Sequence, residues 1–135
     1  MQLQRIDHVV FTVRDIDHTC DFYARVLGME VVTFAAGRKA LQVGQSRINL
    51  HAYGHEFEPK AAHPAPGTQD LCVISTTPLT DVLRQLDPEG VAVLEGPVMR
   101  TGARGRIESI YLRDPDGNLI EIACEVEPSP VQEPE

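Results

Sequence analysis

Apolar and polar positions along this chain run through one rhythm twice. From Ile6 to Val13 the sequence Ile-Asp-His-Val-Val-Phe-Thr-Val is rich in β-branched and aromatic residues, which predicts a strand. Asp15 can accept from the free amides of a first helical turn, and Ile16, Cys20, Tyr23, Val26 and Leu27 recur at helical spacing. Gly28 supplies the stop, where a positive φ costs little without a side chain. Residues 29–34, 39–44 and 46–53 read as strands joined by turns at Ala36-Gly37 and Gly44-Gln45. The second round starts near Gln69 with the strand pattern Asp70 to Ser75, and Thr77-Pro78 is a cap followed by proline at the first helical position. Leu79, Val82, Leu83 and Leu86 form the apolar stripe of that helix, and Asp87-Pro88-Glu89-Gly90 ends it. Val91 to Leu94 reads as a strand, Gly96-Pro97 as an interruption, Arg100 to Arg106 as a basic loop, and Ile107 to Leu112 as a strand. Asp114-Pro115-Asp116-Gly117-Asn118 is strong turn chemistry, and Leu119 to Val126 reads as the last strand.

The order is therefore β-α-β-β-β, a connector, and β-α-β-β-β again, which marks an internal repeat. One helix covers one sheet face of each unit and leaves the other open. The expected fold is α+β, with two such modules pairing into a partly closed mixed-sheet barrel, helices outside. A single domain is expected over residues 1–127, with module one at 5–53, a linker at 54–68 and module two at 69–126. The linker has no period and carries Pro59, Pro64 and Pro66; connectors of this length are usually functional, so it is read as a cover over a site. The Pro-rich residues 128–135 hold too little apolar content to pack and are expected to be a flexible tail.

Composition narrows the function classes. A formal net charge of −8 argues against nucleic acid, which selects a basic face, and against anionic membrane surfaces. No apolar run approaches the roughly 20 residues that span a bilayer, and the N-terminus lacks a signal-peptide progression. The three cysteines, Cys20, Cys72 and Cys124, are odd in number and each lies in an apolar pattern. They are expected to be reduced core residues of a cytoplasmic protein.

The repeat gives chemistry a place to gather. His8, His51, Asp70 and Glu121 stand in the first and last strands of the two modules. Imidazoles with carboxylates make a mixed nitrogen–oxygen donor set suited to Mn, Fe, Ni or Zn, and unlike a thiolate-closed structural zinc site. The competing readings are a strand histidine bonded to backbone for His8, a rim histidine for His51, an edge-strand carboxylate for Glu121 and a turn carboxylate for Asp70. His18, His55 and His63 read as solvated. Arg100, Arg104 and Arg106 form the one dense basic cluster of an acidic chain, able to offer forked contacts to a carboxylate or phosphate. Lys39 and Lys60 are weaker candidates of the same kind.

Three segments carry a resemblance: Ile6-Asp7-His8-Val9; Phe22-Tyr23 with Leu27-Gly28-Met29-Glu30; and Tyr111-Leu112-Arg113-Asp114-Pro115-Asp116-Gly117-Asn118-Leu119-Ile120-Glu121. In these the chain resembles the vicinal oxygen chelate superfamily of glyoxalases, extradiol dioxygenases, fosfomycin-resistance enzymes and bleomycin-resistance proteins. Glu56 to Ala61 and Gly96 to Ala103 are similar to the group called glyoxalase domain-containing protein 5 and its bacterial relatives. The resemblance implies one divalent metal ion held by His8, His51 and Glu121, with Asp70 as a fourth candidate, and Glu121 as the residue that takes a proton; His51 follows from matching Asn49-Leu50-His51 to Leu119-Ile120-Glu121. It implies a small oxygen-rich substrate met by Arg100, Arg104 or Lys39, and a homodimer whose modules pair within one chain or swap between two. Glyoxalase-like lyase or isomerase chemistry is favoured. Dioxygenation, thiol transfer and metal-free ligand sequestration of the bleomycin-resistance kind are the alternatives.

Overall fold

The repeated pattern resolves into eight strands and two α-helices in a computed structural model that describes residues 1–126, so the tail at 128–135 lies outside the described residues. The first round gives β1 (His8–Val13), α1 (Ile16–Arg25), β2 (Glu30–Phe34), β3 (Arg38–Val43) and β4 (Ser46–Ala52). The second gives β5 (Asp70–Ile74), α2 (Leu79–Leu86), β6 (Glu95–Gly102), β7 (Gly105–Arg113) and β8 (Leu119–Glu125). Two separate four-stranded sheets form, in the orders β1-β4-β3-β2 and β5-β8-β7-β6, and not one closed barrel. In each, the first and last strands of the module pair in parallel and the remaining pairs are antiparallel.

The chain divides into two compact units. Unit one is Met1–Gln69 with Asp114–Asn118; unit two is Asp70–Arg113 and the residues from Leu119 onward. In unit one, Phe11, Val13, Leu41, Ile48 and Leu50 line one sheet face and are buried together with Tyr23 and Val26 from the α1 side. Alternation then sends His8, Val10, Thr12, Arg38, Arg47, Asn49 and His51 to the opposite, helix-free face. In unit two, Ile110, Leu112, Ile120 and Ile122 form the buried row with Leu79, Val82 and Leu86 of α2. Asp70, Cys72, Ser109, Tyr111 and Glu121 take the other face.

Most local signals act as expected. Asp15 caps α1, its carboxylate accepting from the amide of His18 at 2.9 Å, and Gly28 follows at φ +70°. The start of α2 differs: Pro78 stands at the cap without a side-chain hydrogen bond, and Ser75 Oγ accepts from the Thr77 amide at 2.9 Å. The larger difference lies at residues 91–106. Residues 91–94 are not a strand, while Gly96, Pro97 and Arg100 belong to β6. β6 is an edge strand, where a proline's missing donor faces no partner, and its register shifts between Glu95 and Val98. The expected basic loop shrinks to a tight turn between β6 and β7.

The turn Asp114–Asn118 groups with unit one although the strands on either side of it belong to unit two. Asp114 is 5 % exposed. Its carboxylate accepts from the Tyr23 hydroxyl at 2.6 Å, from the amides of Asp116 and Asn118 at 2.9 Å each, and from Asn118 Nδ2 at 2.8 Å. Asn118 Oδ1 accepts from the Gln69 amide at 2.9 Å, and Asp116 Oδ1 accepts from the backbone and guanidinium of Arg14 at 3.2 and 3.1 Å. Burial and the adjoining carboxylate push the Tyr23 phenol far above its ordinary range, so the hydroxyl stays a donor at any physiological pH. Tyr23→Phe should lower unfolding free energy by about 1.5–3 kcal/mol, the span for a hydrogen bond to a charged group. Asp114→Ala should lower it further, since it leaves several buried donors unpaired. Urea melts of the two variants check this order.

Candidate functional site

The helix-free faces of the two sheets carry the polar side chains singled out by the sequence. On unit one, His8 opens β1 and remains exposed. Its Nδ1 lies 2.9 Å from Asp7 Oδ2, and that hydrogen bond is the main cause holding the Asp7 carboxyl below its usual range. A neutral ring that donates from Nδ1 to a carboxylate presents its Nε2 lone pair outward. Carboxylate-oriented imidazoles of this kind are the usual form of a metal-ligating histidine.

His51 sits differently. In the parallel pairing of β1 with β4, His8 stands opposite Arg47, Val10 opposite Asn49 and Thr12 opposite His51. His8 and His51 are thus four strand positions apart, about 13 Å along the strand. Two imidazoles with metal bonds of about 2.1 Å do not close that span onto one ion. In unit two, Asp70 stands opposite Leu119 and Cys72 opposite Glu121. If His8 and Asp70 are equivalent, Glu121 therefore corresponds to Asn49. The match of Asn49-Leu50-His51 to Leu119-Ile120-Glu121 is two residues out of step with the sheet registers. Asn49 was missed in the sequence, although Ile48-Asn49-Leu50 beside Ile120-Glu121-Ile122 carries the signal. Its Oδ1 is buried and has no hydrogen-bond partner.

His51 is 4 % exposed and its Nε2 lies 3.3 Å from an Arg38 guanidinium nitrogen. Burial first, and then the Arg38 charge, push the His51 pKa below its ordinary value, so the ring is neutral at neutral pH. The linker behaves as a cover. His63, Lys60, Pro59 and Gln69 join Thr12 and His51 around a cavity of about 580 Å³.

On unit two, the geometry brings Glu121, Arg100 and Arg104 to one cavity of about 390 Å³, lined also by Cys72 and Tyr111. Glu121 Oε2 accepts from the fully buried Ser109 hydroxyl at 2.5 Å, and Glu121 stands opposite Cys72 in the strand register. Cys72 is not a core residue: it is exposed on the helix-free face, while Cys20 is buried and Cys124 lies between, and all three are free thiols. Desolvation by its neighbours, then the charge and hydrogen bond of Glu121, push the Cys72 thiol up to about 11; Asp70 adds to the shift. Asp70 and Glu121 therefore flank the same thiol. Arg100 donates to the Tyr111 hydroxyl at 3.0 Å and to Glu95 at 3.2 Å, and Arg104 lies 3.4 Å from Glu125. Lys39 lies on the α1-bearing side of its sheet, its ammonium donating to Thr33 Oγ1 at 2.8 Å.

A metal reading can be tested on these donors. The oriented His8 ring and the carboxylates of Asp70 and Glu121 have the right chemistry for a divalent ion. Among the described residues, however, no group of three or more His, Cys, Asp or Glu side chains is gathered to hold one. Of the four candidates, His8 and His51 belong to unit one and Asp70 and Glu121 to unit two.

Comparison with known proteins adds the following. Residues 5–122 match the family described as the Glyoxalase/Bleomycin resistance protein/Dioxygenase superfamily. A virulence protein of Salmonella typhimurium is 56 % identical over 123 residues, 91 % of this chain and 85 % of that protein. Its crystal structure superposes with a TM-score of 0.91, covering 93 % of this chain and 100 % of the other. A glyoxalase domain-containing protein of Mycosarcoma maydis is 54 % identical over 91 % of this chain and 69 % of its own length. The lactoylglutathione lyase of Agrobacterium tumefaciens, 21 % identical, shares the fold with a TM-score of 0.70, over 91 % of this chain and 95 % of its own.

The hydrogen bonds within unit two set an order of sensitivity. Ser109→Ala should cost about 1.5–3 kcal/mol of stability, because it removes a buried donor from a carboxylate. Arg104→Ala, which breaks an exposed ion pair, should stay within about 0.5 kcal/mol. Chemical denaturation of both variants measures the contrast.

Proposed function

Because this chain belongs to the glyoxalase/bleomycin resistance protein/dioxygenase superfamily, we propose that it is a metal-dependent enzyme of the glyoxalase type acting on a small oxygen-rich metabolite. The observation that carries the reading is the Asp7–His8 pair, which fixes a half-exposed imidazole with Nε2 free on the helix-free face. His8, Glu121 and Asp70 are the proposed ligands. His51, held against Arg38, stands outside the set. Held by these residues, a manganese, iron, nickel or zinc ion would supply a Lewis acid for negative charge developing on substrate oxygens.

Glu121 is the proposed proton acceptor. Ser109 orients its Oε2, and Arg100 and Arg104 in the same cavity meet the negative charge of the substrate. Lyase or isomerase chemistry is favoured, since a carboxylate beside the substrate and a pair of arginines suit proton transfer next to a stabilised oxyanion. The proposed assembly is a homodimer in the cytoplasm. The rival reading is a metal-free protein that sequesters a ligand.

Elemental analysis of protein purified without chelator or affinity tag should find about one divalent ion per chain. His8→Ala and Glu121→Ala should each abolish it, and His51→Ala should keep it. Failure to take up metal under any loading condition would overturn the metal reading and support the ligand-sequestering alternative, and metal that persists in the His8→Ala/Glu121→Ala double variant would refute the ligand set.

A further inference from the structure

Arg38, on the helix-free face of unit one, is held in a way that the metal reading does not use. Its guanidinium carbon lies 4.2 Å from the ring centre of Phe57 and 5.3 Å from that of Phe34. Phe34 ends β2, while Phe57 comes from the linker. Rings stacked on a guanidinium plane occupy its faces and leave its edge of N–H donors for ligands in the plane. One of those donors faces His51 Nε2 at 3.3 Å. Another, Nε–H, is buried and has no hydrogen-bond partner. No ion pair to a carboxylate is made by Arg38 among the described contacts.

A second cation stands on the same face. Arg47 lies 5.6 Å from the Phe34 ring centre, with its Nε donating to Gln42 Oε1 at 3.1 Å. Glu30, opposite Gln42 in the register, and Asp7, bonded to His8, put carboxylates at that face, and Glu56 from the linker bonds the Gly54 amide at 2.9 Å. On a chain of net charge −8, this face thus gathers two guanidiniums and two imidazoles. A buried charged donor without an acceptor is expensive, and the acceptor that completes an arginine edge is an oxyanion with two oxygens.

We propose that Arg38, with His51 beside it, forms a binding site for an oxyanion group of a small ligand, a carboxylate or a phosphate. The two oxygens take Nε–H and an adjacent guanidinium N–H in a forked contact, and the neutral His51 ring keeps that edge aligned. Phe57 couples the site to the linker, whose residues also wall the neighbouring cavity at His51. The site is formed by unit one alone and needs no metal ion.

The test is calorimetric titration of metal-free protein with inorganic phosphate and, separately, with acetate, at ionic strength held constant with sodium chloride. At least one anion should bind with a dissociation constant on the order of 1 mM. Arg38→Met should weaken it at least about tenfold. Arg38→Lys, which keeps the charge but loses the fork, should also bind more weakly than the wild type. Phosphate binding alone identifies a phosphorylated ligand, acetate alone a carboxylate, and both together the shared group; each supports the site. The absence of binding by either anion, or wild-type binding in both Arg38 variants, overturns it. Because the titration uses metal-free protein, its outcome does not depend on the metal ligands, so the two readings fail separately. Far-UV circular dichroism confirms that the variants are folded, and the lysine variant carries the test if the methionine variant is not.

Discussion

Unit one is organised around a carboxylate that has to be satisfied. Asp114 is buried, and an ionised carboxyl removed from water is tolerated only when donors surround it. The chain supplies four, and their sources are the informative part: a helix hydroxyl from Tyr23, two backbone amides of its own turn, and the amide of Asn118. Asn118 and Asp116 then pass the constraint outward, one to the Gln69 backbone where the linker ends, the other to Arg14 where β1 leaves for α1. Gly67 completes the fit. A Cβ there would come within 2.7 Å of the Asp116 carbonyl oxygen, at a φ of +78° that side chains avoid. One turn thus fixes the exit of β1, the seat of α1 and the end of the linker, and through them the face on which His8 and His51 stand.

The faces themselves follow from period. A strand that buries Phe11 and Val13 under α1 must send Val10 and Thr12 the other way. The same parity puts Glu121 and Cys72 opposite the buried Ile120 and Ile122. Candidate chemistry appears on the helix-free sides because the helices already claim the apolar ones. Within that constraint the two units differ in character. Unit one presents imidazoles and stacked guanidiniums, and unit two presents carboxylates and a thiol held protonated by desolvation and by Glu121.

Much of this was legible in the amino-acid order. The repeat, both helices, the cap at Asp15 and the turn at Asp114 rest on short-range rules, and short-range rules are what a sequence displays. Register was not legible. Face parity does not distinguish Asn49 from His51 as the counterpart of Glu121, because a shift of two keeps every side chain on its face; only the apolar neighbours Ile48 and Leu50, matching Ile120 and Ile122, favour Asn49. The β1–β4 and β5–β8 pairings decide it. β6 was obscured by Gly96 and Pro97, which break a central strand but sit comfortably at an edge with a bulge. Cys72 was taken for a small hydrophobe because its neighbours are apolar, yet alternation turns it outward. Arg38 drew no notice beside the denser Arg100–Arg106 cluster, and its worth comes from Phe57, a residue 19 positions further along.

The allegiance of the turn has a consequence for how such a protein is divided. Cutting the gene at the linker separates the repeats on paper but not in structure. A fragment ending at Gln69 would keep Tyr23, Arg14 and the Gln69 amide and lose every acceptor they use. Its partner fragment would carry a loop whose Asp114 keeps the donors of its own turn but loses the Tyr23 hydroxyl, and whose Asp116 and Asn118 lose Arg14 and the Gln69 amide.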